Sequence, residues 1–283
     1  MSCKVWRIAR CGSAAQVDPV ACDAEGIAAA TPCLPQNGIY AGFGTMHGHR
    51  VVCLTKHLDR LYDSAERMGF EFEIDRALIG REIVEAIERS GYEEAKMRVA
   101  AAPGDPCLTI AMEPYPGFPE YEREHGVACA TVSHTARSNP LAKQTGWLTT
   151  RLSFADSSMH DVFEYLLLDD EEHVLEGSSS SFFAVAGKPP VIHTAGEQVL
   201  IGIARSIVLE IAPPVLPIDL TAISRADLPG IKEAFITSAT RGVIPVVGID
   251  GNPIGDGRPG PMTRELMSRF DQRAAELEEP LVP

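Results

Sequence analysis

The sequence has no stretch approaching the roughly 20 consecutive apolar residues of a membrane-spanning helix, so no span is expected. It has no C-x-x-C pair and no paired Cys/His spacing, which argues against a metal centre. It is short of positive charge: 25 Lys and Arg face 39 Asp and Glu, a net charge of −14. That balance argues against nucleic acid and anionic membrane surfaces as partners. Any anionic ligand must then be held by local cations or backbone N–H groups. The opening segment, MSCKVWRIARCGSAAQVDPVAC, lacks the long apolar core of a signal peptide, and a soluble, cytoplasmic protein is the expectation. Seven cysteines are present, an odd number: Cys3, Cys11, Cys22, Cys33, Cys53, Cys107 and Cys129. They read as reduced thiols, and none sits in a recognisable nucleophile setting.

The 283 residues, 45% hydrophobic and 23% charged, suit an ordinary globular chain of one large or two modest domains. The proline-rich, acidic PYPGFPEYE at 114–122 reads as a domain boundary. It gives a small N-terminal α/β domain over 1–115, a linker over 116–123 and a larger C-terminal domain over 124–283. A short strand is expected near Lys4–Ile8, and 1–36 is otherwise hard to read. YAGFGTM and HRVVCL read as strands joined by a turn. His57 opens a helix with Leu58, Leu61, Ala65 and Met68 on one face, and Gly69 ends it. Asp75 can cap a second helix carrying Ile79, Ile83 and Ile87, with Gly91 after it. MRVAAAPGDPCLTIAM reads as a hairpin. Further on, a helix is expected from Pro140 toward Phe154, short strands over LLLDDEEHVLEG and SFFAVAGKPPVIHT, and a helix over GIARSIVLEIA. AFITSA reads as a buried strand. A strand pair turns at Asp250-Gly251, and a last helix covers PMTRELMSRFDQRAAEL. There is no internal repeat.

Few residues stand out for chemistry on their own. Lys143, in SNPLAKQTGWLTTRL, lies near a helix start marked by Pro140. A cation there is either well solvated or has its pKa pulled down, as a Schiff-base lysine needs. Position alone favours the solvated reading. Glu176, in VLEGSSSSFFAV, reads either as part of a surface turn or as a carboxylate able to hold a protonated ring nitrogen. Arg60 lies off the apolar stripe of its helix, as Asp63 and Arg67 do. Its guanidinium is either solvated or matched to a phosphate. LIGIARSIV puts small residues at a helix start, and FITSATRG ends a strand in small and hydroxyl residues. Both could form an anion cup or simply turns.

The order H-L-D-R-L…S-A…G, then K, then E-G-S-S-S-S-F-F, G-I-A-R, and F-I-T-S-A-T…I-P-V…I-D-G resembles the fold type IV enzymes dependent on pyridoxal 5'-phosphate (PLP). These are the class IV aminotransferases: branched-chain and D-amino-acid aminotransferases, with 4-amino-4-deoxychorismate lyases. The likeness runs from about Gly38 to Phe270. It implies a two-domain α/β (α+β type) D-amino-acid aminotransferase-like fold with a barrel-like sheet in the larger domain. It implies that Lys143 carries PLP and shuttles the proton between substrate and cofactor, that Glu176 partners the pyridine nitrogen, and that Arg60 grips the phosphate. The backbones of Ile203 and Ala204, with Ser238 and Ala239, complete the phosphate cup. Arg137 is implied near the phenolic oxygen. Tyr40, Arg98 and Arg241 are candidate substrate contacts, each also readable as structural. A homodimer is implied, since a partner's loop completes such sites. The expected activity is transfer of an amino group between an amino acid or amine and a 2-oxo acid. A lyase releasing pyruvate is the alternative, and a non-catalytic binding protein a remote one.

Several positions depart from the usual pattern. Ala204 and Ala239 stand where threonines are usual, leaving Ser238 and Thr240 as hydroxyls at hand. Ala41 replaces an acid, Trp147 occupies the region of a tyrosine, and Ser181 replaces an asparagine. VAAAPGDPC has no counterpart of the Arg and His that trap the carboxylate in D-amino-acid enzymes.

Overall fold

The structure, a computed structural model, describes residues 3–10, 17–133, 135, 137, 139–156 and 162–282. Cys11 lies outside them. The chain divides into two compact units. The first comprises Met1–Gly117, Ala142–Leu152 and Leu277–Pro283; the second comprises Phe118–Leu141 and Ser153–Glu276. The break at Gly117 falls within the expected linker. The Lys143 segment, which the sequence places in the C-terminal domain, packs with the first unit instead.

The first unit is built on a five-stranded antiparallel sheet. Its strands are β1 (Lys4–Ala9), β2 (Val17–Val20) and β3 (Ile39–Gly44), then, after the short β4 (Arg50–Val52) and the helices α1 (Leu54–Arg67) and α2 (Arg76–Ser90), β5 (Ala95–Ala101) and β6 (Cys107–Pro114). The order is β2-β1-β6-β5-β3. Strand alternation sends Ile39, Ala41 and Phe43 of β3 and Met97 and Val99 of β5 to one face, where α1 and α2 cover them with Leu58, Leu61, Ile79, Ile83 and Ile87. Ala41, fully buried in this core, sits where a carboxylate would have no water. α1 begins at Leu54, three residues before His57. Asp75 caps α2 by accepting from the Leu78 N–H at 2.9 Å, and Gly91 closes it at φ 73°.

The opposite face of the sheet, with Val5, Tyr40, Ala100 and Ala111, is covered by the loop residues Ala24, Ile27, Ala30 and Leu34 and by Leu148. A Cys22–Cys33 disulfide closes this loop, with Cα atoms 6.3 Å apart. The reading of all the cysteines as reduced is corrected here: two of the seven are paired, and the covering loop brings them together.

In chain order the second unit opens with α3 (Glu120–His125) and β7 (Val127–Val132), and α4 (Thr145–Leu152) follows within the first unit. Then come β8 (Glu164–Leu168), β9 (Val174–Gly177), β10 (Ser181–Ala186), β11 (Val191–His193), α5 (Ile203–Ile211), β12 (Ile218–Asp219), β13 (Glu233–Ser238), β14 (Gly242–Ile249), β15 (Asn252–Pro253) and α6 (Pro261–Glu276). A final short strand, β16 (Glu278–Pro280), returns to the first unit and pairs with β4. The second sheet runs β12-β11-β10-β13-β14-β7-β8-β9, with β15 attached to β14. β9, at one end of that order, also lies against β10, so the sheet curls into a half-barrel filled by Leu166, Val174, Phe182, Ile236 and Ile244. The outer face of β10 and β13, where Phe183 and Phe235 stack at 4.8 Å, belongs to the side on which α5 and α6 pack against β13.

Two stability outcomes follow. Replacing Cys22 and Cys33 by serine should lower the unfolding free energy by about 2–3 kcal/mol through the freed loop; equal urea midpoints for the variant and the oxidised parent would refute this. His57 is 1% exposed and burial, with the nearby Arg60 and Lys143 charges, pushes its pKa well below the ordinary imidazole value. The unfolded chain takes up that proton below pH about 6.5 and the native state does not. Stability should therefore be level in this respect above pH 6.5 and fall below it, by up to about 1.4 kcal/mol per pH unit. Urea unfolding at pH 7 and 5.5 should show a shallower loss in His57→Gln than in the parent, whatever the variant's own starting stability.

Candidate active site

Lys143 sits outside any helix, because α4 starts only at Thr145. The expected helix from Pro140 is corrected: 142–145 instead runs along the edge of β3, where backbone groups claim it. The Lys143 carbonyl accepts from the Tyr40 N–H at 2.9 Å, and its own N–H donates to Ser64 Oγ at 3.1 Å. One residue on, Gln144 bridges to Ile39. The Thr145 hydroxyl accepts from the Gly38 N–H at 2.9 Å and donates to the Gln36 carbonyl at 3.0 Å. Gly38 is required here, since a Cβ would stand 2.1 Å from the Ala101 carbonyl oxygen. With its backbone fixed from both sides, Lys143 places Nζ 4.7 Å from the centre of the Tyr40 ring.

Arg60 is partly buried one turn along α1 from His57, with Nη2 3.5 Å from His57 Nδ1. His57 packs its ring against Phe43 at 5.1 Å and, being neutral, offers a lone pair to the guanidinium. The structure thus brings Lys143, Arg60 and Tyr40, all expected from the sequence, into one unit with an unforeseen buried histidine. Arg98 lies on the Tyr40 face of the sheet. Burial, with Arg151 nearby, lowers its pKa to about 10. Its Nη1 donates to the Ile27 carbonyl at 2.8 Å and to Thr31 Oγ1 at 3.1 Å, both within the disulfide-closed loop.

Glu176, Arg137, Ile203, Ala204, Ser238, Ala239 and Arg241 belong to the second unit. Glu176 lies inside β9 and is 5% exposed, which corrects the surface-turn reading. Its Oε1 accepts from Arg137 Nε at 2.9 Å and Nη2 at 2.6 Å. Its Oε2 accepts from the Leu200 N–H at 3.3 Å. Arg205, also buried, faces Glu176 electrostatically and donates Nη2 to the Ala195 carbonyl at 2.7 Å. Arg137, implied near a phenolic oxygen, is placed here on the carboxylate.

Ile203 and Ala204 open α5. Gly202 is the N-cap, and no side chain caps its first amides. They keep the donor set that suits an anion. Arg241 spends its guanidinium within the protein: Nε on Ser238 Oγ at 2.9 Å, and Nη2 on Glu164 Oε2 and Ser179 Oγ, both at 2.9 Å. Glu164 also takes hydrogen bonds from the Ser178 hydroxyl, and from the Ser179 N–H at 3.2 Å and hydroxyl at 2.7 Å. Burial alone would raise its pKa; Arg241 and the two serines outweigh that and hold it low. Sequence reading missed this cluster. Its signal was a glutamate opening the apolar strand EYLLL, with no visible reason to be buried. Among the described residues no His/Cys/Asp/Glu group could hold a metal ion, and no helix is long and apolar enough to cross a membrane.

In the first unit Lys143 offers an amine of the kind that suits an aldehyde. In the second, Glu176 offers a buried carboxylate that suits a protonated ring nitrogen, and α5 an uncapped head that suits a phosphate. At that end of β13, moreover, the Thr237 hydroxyl is buried with no hydrogen-bond partner.

Comparison with known proteins agrees. The profile of the family described as amino-transferase class IV matches residues 39–249. The branched-chain-amino-acid aminotransferase of Pseudomonas aeruginosa is 26% identical over 257 residues, covering 82% of this chain and 82% of that protein. The D-alanine aminotransferase of Bacillus licheniformis is 27% identical over 228 residues, covering 76% and 80%. Among solved structures, the branched-chain aminotransferase of the archaeon Thermoproteus uzoniensis, with norvaline, superposes with a TM-score of 0.77 at 22% identity, over 99% of this chain and 100% of that one. The chain belongs to the class IV aminotransferase family, whose members use PLP.

Proposed function

We propose that the protein transfers an amino group between an amino acid and a 2-oxo acid, with a branched-chain or D-amino acid as donor. The observation that carries the reading is Glu176, a carboxylate buried inside a strand and backed by an arginine as buried as itself. Burying such a pair costs desolvation that packing alone does not explain. PLP supplies an electron sink for the carbanion formed at the substrate's Cα.

The chain's own groups do the rest. Lys143 is held by its backbone at both ends, so only its side chain moves. It would hold the cofactor through its amine, and the same amine would carry the proton taken from the substrate's Cα. Glu176 would pair with the protonated ring nitrogen, its carboxylate held in orientation by Arg137 and the Leu200 N–H. In the second unit the α5 amides of Ile203 and Ala204, with the strand end at Ser238 and Ala239, would hold the phosphate; in the first, Arg60, set by neutral His57, is the guanidinium that would suit it. Tyr40 lies against the Lys143 ammonium, and its ring and Arg98 bound the substrate. Arg241 serves through Ser238 and Ser179, which it orients. The protein is proposed to act as a cytoplasmic homodimer; in that compartment the thiol pool would act on the Cys22–Cys33 disulfide. Sedimentation at twice the 30.5 kDa chain mass would support the dimer.

Purified protein should show a visible-region band from PLP, abolished in Lys143→Ala, together with a loss of the half-reaction of at least roughly 100-fold. A band that survives unchanged in Lys143→Ala sinks the assignment. Glu176→Gln should retain the band and slow the half-reaction by roughly 100-fold; an unchanged rate removes Glu176 from the mechanism. A half-reaction screen of L-amino acids, D-amino acids and primary amines identifies the donor. Pyruvate released from 4-amino-4-deoxychorismate without an oxo-acid acceptor would replace the transferase reading by the lyase.

A further inference from the structure

The phosphate cup expected from the sequence lacks two hydroxyls, since Ala204 and Ala239 carry none. Of the residues at hand, Ser238 already accepts from Arg241. Its neighbour Thr237 is different. It is 2% exposed, and its Oγ1 has no hydrogen-bond partner. A hydroxyl buried that way costs stability about as much as a lost hydrogen bond, so native proteins rarely keep one without a use.

Its placement shows what the use is. Thr237 pairs with Ser181 across β13 and β10, so the two side chains share one face of the sheet. Ser181 Oγ lies 3.1 Å from where a Cβ on Gly202 would stand, and Gly202 is the N-cap of α5. That face therefore points at the head of a nine-residue helix packed on β13, whose first amides no side chain caps. Arg205, in the first turn of the same helix, is 7% exposed and its Nε also lacks an acceptor. Thr237 Oγ1 and Arg205 Nε, two unpartnered buried donors, thus belong to a strand and a helix that pack together, and the helix head between them carries no side-chain cap and suits an anion. Among the described residues two other buried hydroxyls lack partners, those of Ser180 and Thr263. Ser180 turns toward Gly177 and Glu164, and Thr263 lies in the first turn of α6, where Glu233 takes its N–H; neither joins this set.

We propose that Thr237 is a phosphate ligand, its Oγ1 donating to a phosphate oxygen of the cofactor at the head of α5, in place of the hydroxyls that Ala204 and Ala239 lack. The proposal rests on the PLP reading above.

The test uses the full chain stripped of cofactor, with Thr237→Val and Thr237→Ser. Valine keeps the shape and removes the unpaired hydroxyl. The apo form of Thr237→Val should melt at or above the parent, while its PLP affinity, read by absorbance titration, falls about tenfold or more. Affinity for pyridoxal, which lacks the phosphate, should be unchanged, and Thr237→Ser should bind PLP within about twofold of the parent. A merely structural threonine would not produce opposite signs in the apo and cofactor-bound measurements. Unchanged PLP affinity in Thr237→Val, or equal weakening of PLP and pyridoxal, overturns the proposal and leaves the PLP reading intact. A parent protein that binds neither compound, or both equally, overturns the two together. Should Thr237→Val not fold, Thr237→Ala carries the same PLP and pyridoxal comparison.

Discussion

A carboxylate that leaves water must find cations and donors or lose its charge, and three glutamates place that demand on the second unit. Glu176 meets it with Arg137 and the Leu200 N–H, tying β9 to the segment before Lys143 and to the approach of α5. Glu164 meets it with Arg241 and two serines, tying β8 to the β13–β14 turn. Glu233 accepts from the Met262 and Thr263 amides and so fixes the start of α6; Gly260 is needed because a Cβ there would fall 2.0 Å from the Glu233 carboxyl carbon. Each buried charge joins segments far apart in sequence. The loops that present functional groups therefore hang on electrostatics more than on their own packing.

The first unit solves a different problem. The proposed role of Lys143 asks for a mobile tip on an immobile root. The chain achieves this by laying 142–145 against β3, so that the lysine's peptide groups are consumed by Tyr40 and Ser64. α1 contributes both the serine that receives the Lys143 N–H and, one turn earlier, Arg60. One helix thereby helps set both an amine and a guanidinium, and the buried His57, kept neutral, adds no third positive charge beside them.

Periodicity made the helices legible. The apolar stripes of α1 and α2 fall where the spacing predicts them, α5 and α6 form over the segments expected, and Asp75 and Gly91 mark the ends of α2 as their chemistry requires. The proline-rich, acidic stretch over 114–122 spans the break between the two compact units at Gly117. What stayed hidden depended on long-range pairing. Pro140 looked like a helix start, yet the β3 edge offered backbone groups that bind Lys143 and Gln144, and the helix begins only at Thr145. Glu176 looked like a turn residue because its neighbours are glycine and serine; only the curled sheet explains its burial. The four serines after it read as bland, and two of them prove to be ligands of Glu164, a residue that carried no local signal. Arg241 was singled out for its charge, but its partner lies 77 positions away. The Cys22–Cys33 bond could not be read from spacing, because only the fold of the covering loop decides which thiols meet.

That loop has one more property. Its residue Ile27 is gripped from both sides: its N–H donates to Glu113 at 2.6 Å, and its carbonyl accepts from Arg98 at 2.8 Å. Glu113 is in turn paired with Lys96, a third of whose side chain is open to solvent. A relay of alternating charge and dipole thus runs from the surface through one residue's backbone to a guanidinium with almost no water of its own. Ionic strength weakens only the outermost, solvent-facing link. The two inner links, Glu113 on the Ile27 N–H and Arg98 on its carbonyl, should then keep the loop seated on the sheet at salt concentrations that dissolve the ion pair.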